Sequence, residues 1–502
     1  MRPTFLGFEA ARSGLVASQK ALDITGNNVA NIHTEGYTRQ RVDLVSMAFS
    51  GSANRYSTGT TLAGQGVYIA GVSQCRDPIL DARYREQSTY VGSLETQNTA
   101  YTDLENLFDD VTSSGLQDGM SKLLAQLQSV SGNSDKAEVA NNVLTAAKNV
   151  VQLINSYNSK LDQLEARNKT GLDSCVNDVN SILQKLGALN SQIKDACLAN
   201  STTDPITGDR RILGPYGPNE LLDDRNLLLD QLSAYGEVDV KSENDGTITV
   251  TFGGTVAVKD SRYETLNQVK DAAGKDILQW GTSMKTFSSD SGAITAYIDV
   301  IAGKGGYASG GENHYEGIAY YREILNSFTD TFAKQFNNAN NVTTPPAPRD
   351  LFSISDGATN FTAGNIRISD NWMNDPSYLV ISVDGDKLAN GNTLKMIKMF
   401  DDSFDFGSSS YTEFKGTFKG YLIHFQGKLG NQQKYISGIK DSTSSVAMDL
   451  LDQRDQISAV SENEEAINMM KYQKSYNAAA RVITAMDECL DVIINKMGRV
   501  GL

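Results

Sequence analysis

The chain has 502 residues, 40% of them hydrophobic and 21% charged, with a formal net charge of -15. That length leaves room for about three domains of ~150 residues each, and the composition excludes a fully disordered chain and one embedded in a membrane. The acidic balance, without any lysine- or arginine-dense stretch, excludes a nucleic-acid binder, because a phosphate backbone demands a basic face.

The first residues, MRPTFLGFEAARSGLVASQKALD, lack the uninterrupted apolar core of a cleavable signal peptide, since Glu9, Arg12 and Gln19 break it. Within them Phe8, Ala11, Leu15, Ser18 and Leu22 recur at alternating spacings of three and four, the seam of a helix meant to lie along another helix. A polar break follows, LDITGNNVANIHTEGYTRQR, whose asparagines Asn27, Asn28 and Asn31 continue or cap the helix before Gly36 turns the chain.

Residues 79–200 are nearly free of proline and full of helical periods. Val143, Ala147, Val150, Ile154, Tyr157, Leu161 and Leu164 predict one long helix, and with its predecessor a hairpin of long helices. After Tyr235 the period changes to two. Val238 and Val240, then Ile248, Val250 and Phe252, alternate across the turn ENDG and predict a β-hairpin.

Further short strands are expected in AITAYIDVIAG and in NIRISDNWMNDPSYLVISVDG, whereas 312–340 return to helical spacing through Ile318, Tyr321, Leu325, Phe328, Phe332 and Phe336. Beyond Phe418 the pattern is helical to the end. The last helix begins near Ser461, where SENEE offers a capping box with Glu464. Its seam runs Tyr476, Ala480, Ile483, Asp487, Leu490, Ile494 and Met497, with Asp487 the one charged intruder.

Chemistry is sparse. His33, His314 and His424 stand apart from one another and from every cysteine, and Cys75, Cys175, Cys197 and Cys489 lack C-x-x-C spacing. No zinc site or disulfide scaffold is therefore signalled. GKGGYASGG at 303–311 lacks the order of a phosphate-binding loop and reads as a flexible loop. DGDK at 384–387 reads as a β-turn, and adjacent carboxylates such as Asp223 and Asp224 do not face one site. We expect no catalytic residue, cofactor or metal.

A heptad seam at each terminus poses a burial problem, since neither adjoins a domain that could cover it. The two ends pair with each other, either closing a monomeric bundle or leaving outer faces for neighbouring subunits. On the second solution the assembly interface is carried by Phe8, Ala11, Leu15, Leu22, Asn27, Asn28 and Asn31 at the N-terminus. Tyr476, Ala480, Ile483, Leu490, Ile494 and Met497 carry it at the C-terminus.

Three separated stretches resemble the bacterial flagellar axial proteins, the rod, hook and hook-associated group. Gly26, Asn27, Asn28, Val29, Ala30 and Asn31 with the Gly36–Tyr37 turn match the N-terminal signature of that group. NELLDDRNLLLDQLSAYGEVDV at 219–240 is similar to an element of its hook-associated members, with Asn226 where aspartate is usual. ENEEAINMMKYQKSYNAAARVI, from Glu462 to Ile483, matches the C-terminal signature. Glu35 and Ala459 depart from the usual proline and glycine, which affects local turns only.

The resemblance implies a structural, non-enzymatic subunit exported unfolded through the flagellar type III apparatus and assembled as a ring between hook and filament. The implied partners are further copies of itself, hook protein, a second junction protein and an export chaperone on the C-terminal helix. A closely related axial protein, or an enzyme on the outer domain, is the alternative.

The expected fold is α+β: an elongated multidomain chain with paired terminal heptad helices, a long-helix bundle frame and β-rich insertions. Its parts are an inner-tube segment and linker (1–60), a helical frame (61–235, 312–345 and 421–460), β-rich blocks (236–311 and 346–420) and the C-terminal heptad helix (461–502).

Overall fold

The computed structural model describes residues 6–46, 66–113, 115–132, 137–199, 202–203, 210–211, 217–270, 276–341, 349–382, 390–407, 411–492 and 495. The chain is α+β, with long helices carrying small antiparallel sheets.

Helix α1 (Leu6–Ala30) leads through a turn into β1 (Gln40–Ser46), which pairs antiparallel with β2 (Val67–Gln74). Three helices follow: α2 (Pro78–Ser113), α3 (Leu116–Gly132) and α4 (Ala137–Ala199). The 63 residues of α4 form one helix, about 95 Å long at 1.5 Å per residue. The two-residue strands β3 (Thr202–Thr203) and β4 (Arg210–Arg211) pair beyond it, before α5 (Asn219–Ser233).

One core lies along the first half of α4 and a second along its other half. The first half packs against α2, α3, α7 (Ile318–Asn340) and the start of α10 (Phe418–Ser458) through Phe108, Tyr157, Tyr321, Phe328 and Phe425. The second half, with Val179, Leu183 and Leu186, packs against α5 and the strands that follow. These are a four-stranded meander of β5 (Val238–Ser242), β6 (Ile248–Phe252), β7 (Thr255–Lys259) and β8 (Arg262–Tyr263), then the hairpin of β9 (Leu266–Lys270) and β10 (Asp276–Trp280). The expected hairpin at 238–252 is present, with Gly246 at φ 84° in its turn. A single helix thus serves as the spine of both bodies.

AITAYIDVIAG is not a strand. Ala293–Ala302 form α6, which buries Ile294, Ala296 and Val300 and lies between α2 and α4. Its β-branched residues favour strands only weakly, and packing against two helices overrides that preference.

The glycine-rich stretch after it is loop interrupted by one 3-10 turn, Gly305–Tyr307, where a Cβ at Gly306 would stand 2.1 Å from the ring of Tyr411. Gly305 and Gly306 permit tight packing there, whereas Gly310 and Gly311 stand open.

Between α7 and α10 the second inserted block mixes two hairpins with helix. These are β11 (Phe352–Ile354) with β12 (Ile366–Ile368), and β13 (Phe404–Gly407) with β14 (Thr412–Gly416). Between them lie α8 (Asp370–Asn374) and α9 (Gly391–Lys398), so among the described residues of NIRISDNWMNDPSYLVISVDG only Ile366–Ile368 are strand. DGDK at 384–387 lies outside the described residues.

The last helix, α11 (Glu462–Asp491), follows α10 after a break at Ala459–Ser461. Ser461 is its N-cap residue, but its side chain makes no capping bond. Glu464, the expected capping-box partner, is instead taken by Arg39.

Candidate assembly site

Helices α1 and α11 lie side by side and run antiparallel. Gly7 sits where a Cβ would be 3.0 Å from Met486, and at the opposite end Arg39, beyond α1, bridges Glu464 at 2.7 Å and Glu465 at 3.2 Å. On α1, Phe8, Ala11, Leu15 and Leu22 are half-buried; on α11, Tyr476, Ala480, Ile483 and Leu490 are half-buried. Asp487 is exposed, and Met486 takes its place on the seam, so the charged intruder expected there faces solvent. Ile494 and Met497 lie outside the described residues.

The strands β1 and β2 return along another side of α1, where Ser13 Oγ accepts a hydrogen bond from Val67 N at 3.1 Å. Ala17, Ala21 and Thr25 are buried on α1. On α11 Glu465 is the buried residue among those described. Ile467, Met470 and Val482 of α11, at 60%, 55% and 48% exposure, stand in solvent. The C-terminal helix therefore exposes apolar side chains that its own chain does not cover.

The asparagine cluster folds the turn after α1 back on the helix. Asn28 is 1% exposed; its Nδ2 donates to the carbonyl of Gln40 at 2.9 Å, and its Oδ1 accepts from Gln40 N at 3.1 Å and Tyr37 Oη at 2.8 Å. Asn31 Nδ2 donates to Asn27 Oδ1 at 3.0 Å, and Thr34 Oγ1 donates to Asn31 Oδ1 at 3.1 Å. The amides thus supply the backbone partners that a helix end and strand start would otherwise lack. Gly36, at φ 79°, reverses the chain where a Cβ would press on Leu227 at 3.3 Å.

The second motif, α5, meets this turn directly. Asp223 accepts from Thr38 N at 3.2 Å and from Gln74 Nε2 at 2.8 Å, and Gln74 also donates to the carbonyl of Asn219. Burial pushes the carboxyl of Asp223 up to about 6, against its hydrogen bonds from Thr38 and the charge of Arg76. Asp224, its neighbour in sequence, is exposed.

Two turns further along α5, Asp230 accepts from Arg85 of α2 at 2.7 Å and from Arg454 of α10 at 2.6 Å. Arg76 holds Asp81 with both nitrogens, and the Arg454 guanidinium stacks over Tyr84 at 4.5 Å. The third motif closes the circle. Arg39 N donates to the carbonyl of Ser458 and its side chain to Glu464 and Glu465. Three stretches separated by hundreds of residues therefore form one joint between the terminal helix pair and the frame.

Among the described residues no group of histidine, cysteine and carboxylate side chains could hold a metal, and the four cysteines are free. A second buried polar cluster, where Glu413 accepts from Tyr411, Tyr320 and Lys428, joins β14, α7 and α10 within the frame. Sequence reasoning missed both ionic clusters, because their members recur at no fixed spacing.

Three family models match the chain. Residues 101–343 match the flagellar hook-associated protein FlgK helical domain, 8–38 the flagella basal body rod protein, and 453–496 the C-terminal region of the flagellar basal body rod FlgEFG proteins. Flagellar hook-associated protein 1 of Bacillus subtilis (strain 168) is 29% identical over 99% of each chain. The protein of that name from Salmonella typhimurium is 26% identical over 52% of this chain and 44% of its own. The hook junction protein FlgK of Burkholderia pseudomallei superposes over 54% of this chain and 46% of its own, with a TM-score of 0.44 and 20% identity.

Proposed function

We infer that the chain is a member of the family of flagellar hook-associated protein 1, and from that premise that it is a structural subunit of the junction between hook and filament. The observation that carries this reading is the uneven burial of the terminal pair. α11 runs for 30 residues yet buries Glu465 alone among those described. Ordering a helix costs about 1–2 kcal/mol per residue, and neighbouring subunits are the natural source of the missing burial.

In this reading the terminal helices order on assembly, and Phe8, Leu15, Leu22, Tyr476, Ile483 and Leu490 fix the pair that is presented to neighbours. The joint at Asn28, Asp223 and Arg454 transmits the position of that pair to the frame. In this reading the protein is an extracellular part of the flagellum, exported through its type III apparatus, with a structural rather than a catalytic role. Copies of itself, the hook protein, a second junction protein and a chaperone on the C-terminal helix are its partners.

The test is location. Labelled chain on isolated flagella, seen by electron microscopy, should mark one band at the distal end of the hook. Label spread along hook or filament, or absent from flagella, would overturn the reading.

A further inference from the structure

The charges of α11 fall in blocks. Glu462, Glu464 and Glu465 open the helix, Lys471, Lys474 and Arg481 occupy its middle, and Asp487, Glu488 and Asp491 close it. Lys471, Lys474, Arg481 and Glu488 are exposed. They lie among the uncovered residues Ile467, Met470 and Val482 on the solvent face. At 100° per residue Lys471 and Glu464 lie to one side of Ile467, beside Val482, and Arg481 and Glu488 to the other, beside Met470, with Lys474 between Ile467 and Met470.

Two parallel copies set side by side in register would place each block beside its like, which is repulsive. An offset of seventeen positions does the opposite. It sets Glu488 against Lys471, Arg481 against Glu464 and Asp491 against Lys474, and brings no two like charges together. The first two of these pairs join one side of this face to the other, which is how parallel neighbours around an axis meet. Shifts of seven or ten positions pair some opposite charges but also set Lys474 or Lys471 against Arg481.

We propose that α11 of one copy docks on α11 of the next in parallel, displaced along the helix by seventeen residues, about 25 Å. Docking covers Ile467, Met470 and Val482, and the three charge pairs select the register. Glu464 keeps Arg39 as its partner within the chain, so Arg481 of the neighbour adds a second cation to a carboxylate with free lone pairs. This rests on the proposed function, since it specifies how subunits of the junction meet.

The experiment uses the natural chain in intact flagella and a carbodiimide that joins amine to carboxylate without a spacer. Within one helix Lys471 and Glu488 are about 25 Å apart, so a direct amide between them must connect two copies. Mass spectrometry should find Lys471–Glu488 and Lys474–Asp491 linkages in flagella and none in dilute monomer. Linkages in the monomer, or assembled chain linked only at other offsets or not at all, would overturn the register and leave the junction reading standing. Absence of the chain from flagella would overturn the junction reading itself.

A charge exchange supplies a second readout on exposed residues. Lys471→Glu and Glu488→Lys should each lower incorporation several-fold, and the double variant should restore it. If the double variant is as poor as the worse single one, the pairing is wrong.

Discussion

Asn28 and Gln40 exchange two hydrogen bonds, side-chain amide to main-chain amide, as neighbouring strands do. A helix end and a strand start are thereby locked at a fixed angle by one buried side chain. Asn28→Ala would strand the N–H and C=O of Gln40 in a buried site, at about 1–3 kcal/mol for each group left unmade. The expected outcome is faster exchange of the Gln40 amide proton and a lower melting temperature. Unchanged exchange would remove Asn28 from its role at the joint.

Asp230 stands between two arginines from different helices, Arg85 of α2 and Arg454 of α10, and all three side chains are largely buried. Asp230→Ala should destabilise the chain by about 3–5 kcal/mol, because it leaves the buried Arg85 guanidinium without its charge partner and Arg454 with only Asp81 at 3.8 Å. Urea denaturation measures this directly. A loss below ~1 kcal/mol would mean that water serves those cations as well as the carboxylate does.

The carboxyl of Asp223 titrates at about 6 in the fold against an ordinary 3.8. The folded state binds that proton more tightly than the unfolded state does. The stability this adds is full below pH 3.8 and is lost as pH rises through about 6. Asp223→Asn should remove this falling component from the dependence of melting temperature on pH between about 4 and 6. If variant and natural chain keep parallel profiles across that window, Asp223 is not the group responsible.

Gly36 occupies left-handed backbone against Leu227. Gly36→Val should destabilise the turn by more than the ~1 kcal/mol of left-handed strain alone, since its side chain also meets Leu227. Limited proteolysis within 31–39 should then quicken. An unaffected rate would show that the turn tolerates a side chain there.

Elements whose pattern repeats locally were legible from sequence. The seams of α1 and α11, the length of α4 and the hairpin at Val238–Phe252 follow from periods of 3.6 and 2. The joint was half legible. Asn27, Asn28 and Asn31 stood out as a polar break and find their partners nearby, as Asn28 does in Gln40, but the contacts that tie this turn to the frame lie across the fold, as Thr38 and Asp223 do at a separation of 185 residues.

Nor does anything local distinguish Asp223, buried, from Asp224, exposed; 100° of helix rotation decides it. The strand expected at Ala293–Ala302 failed for a related reason. Both periods fit so short an apolar run, and contact with α2 and α4 chose the helix.

The central claim is that the paired terminal helices, held by the joint, are what the assembly is built from. Its most direct test is the incorporation into flagella of a chain carrying Ile483→Asp and Leu490→Asp, which splits α1 from α11. The account predicts a chain whose frame still melts cooperatively at the natural temperature and is secreted, yet is absent from isolated flagella. Incorporation at the natural level would contradict it.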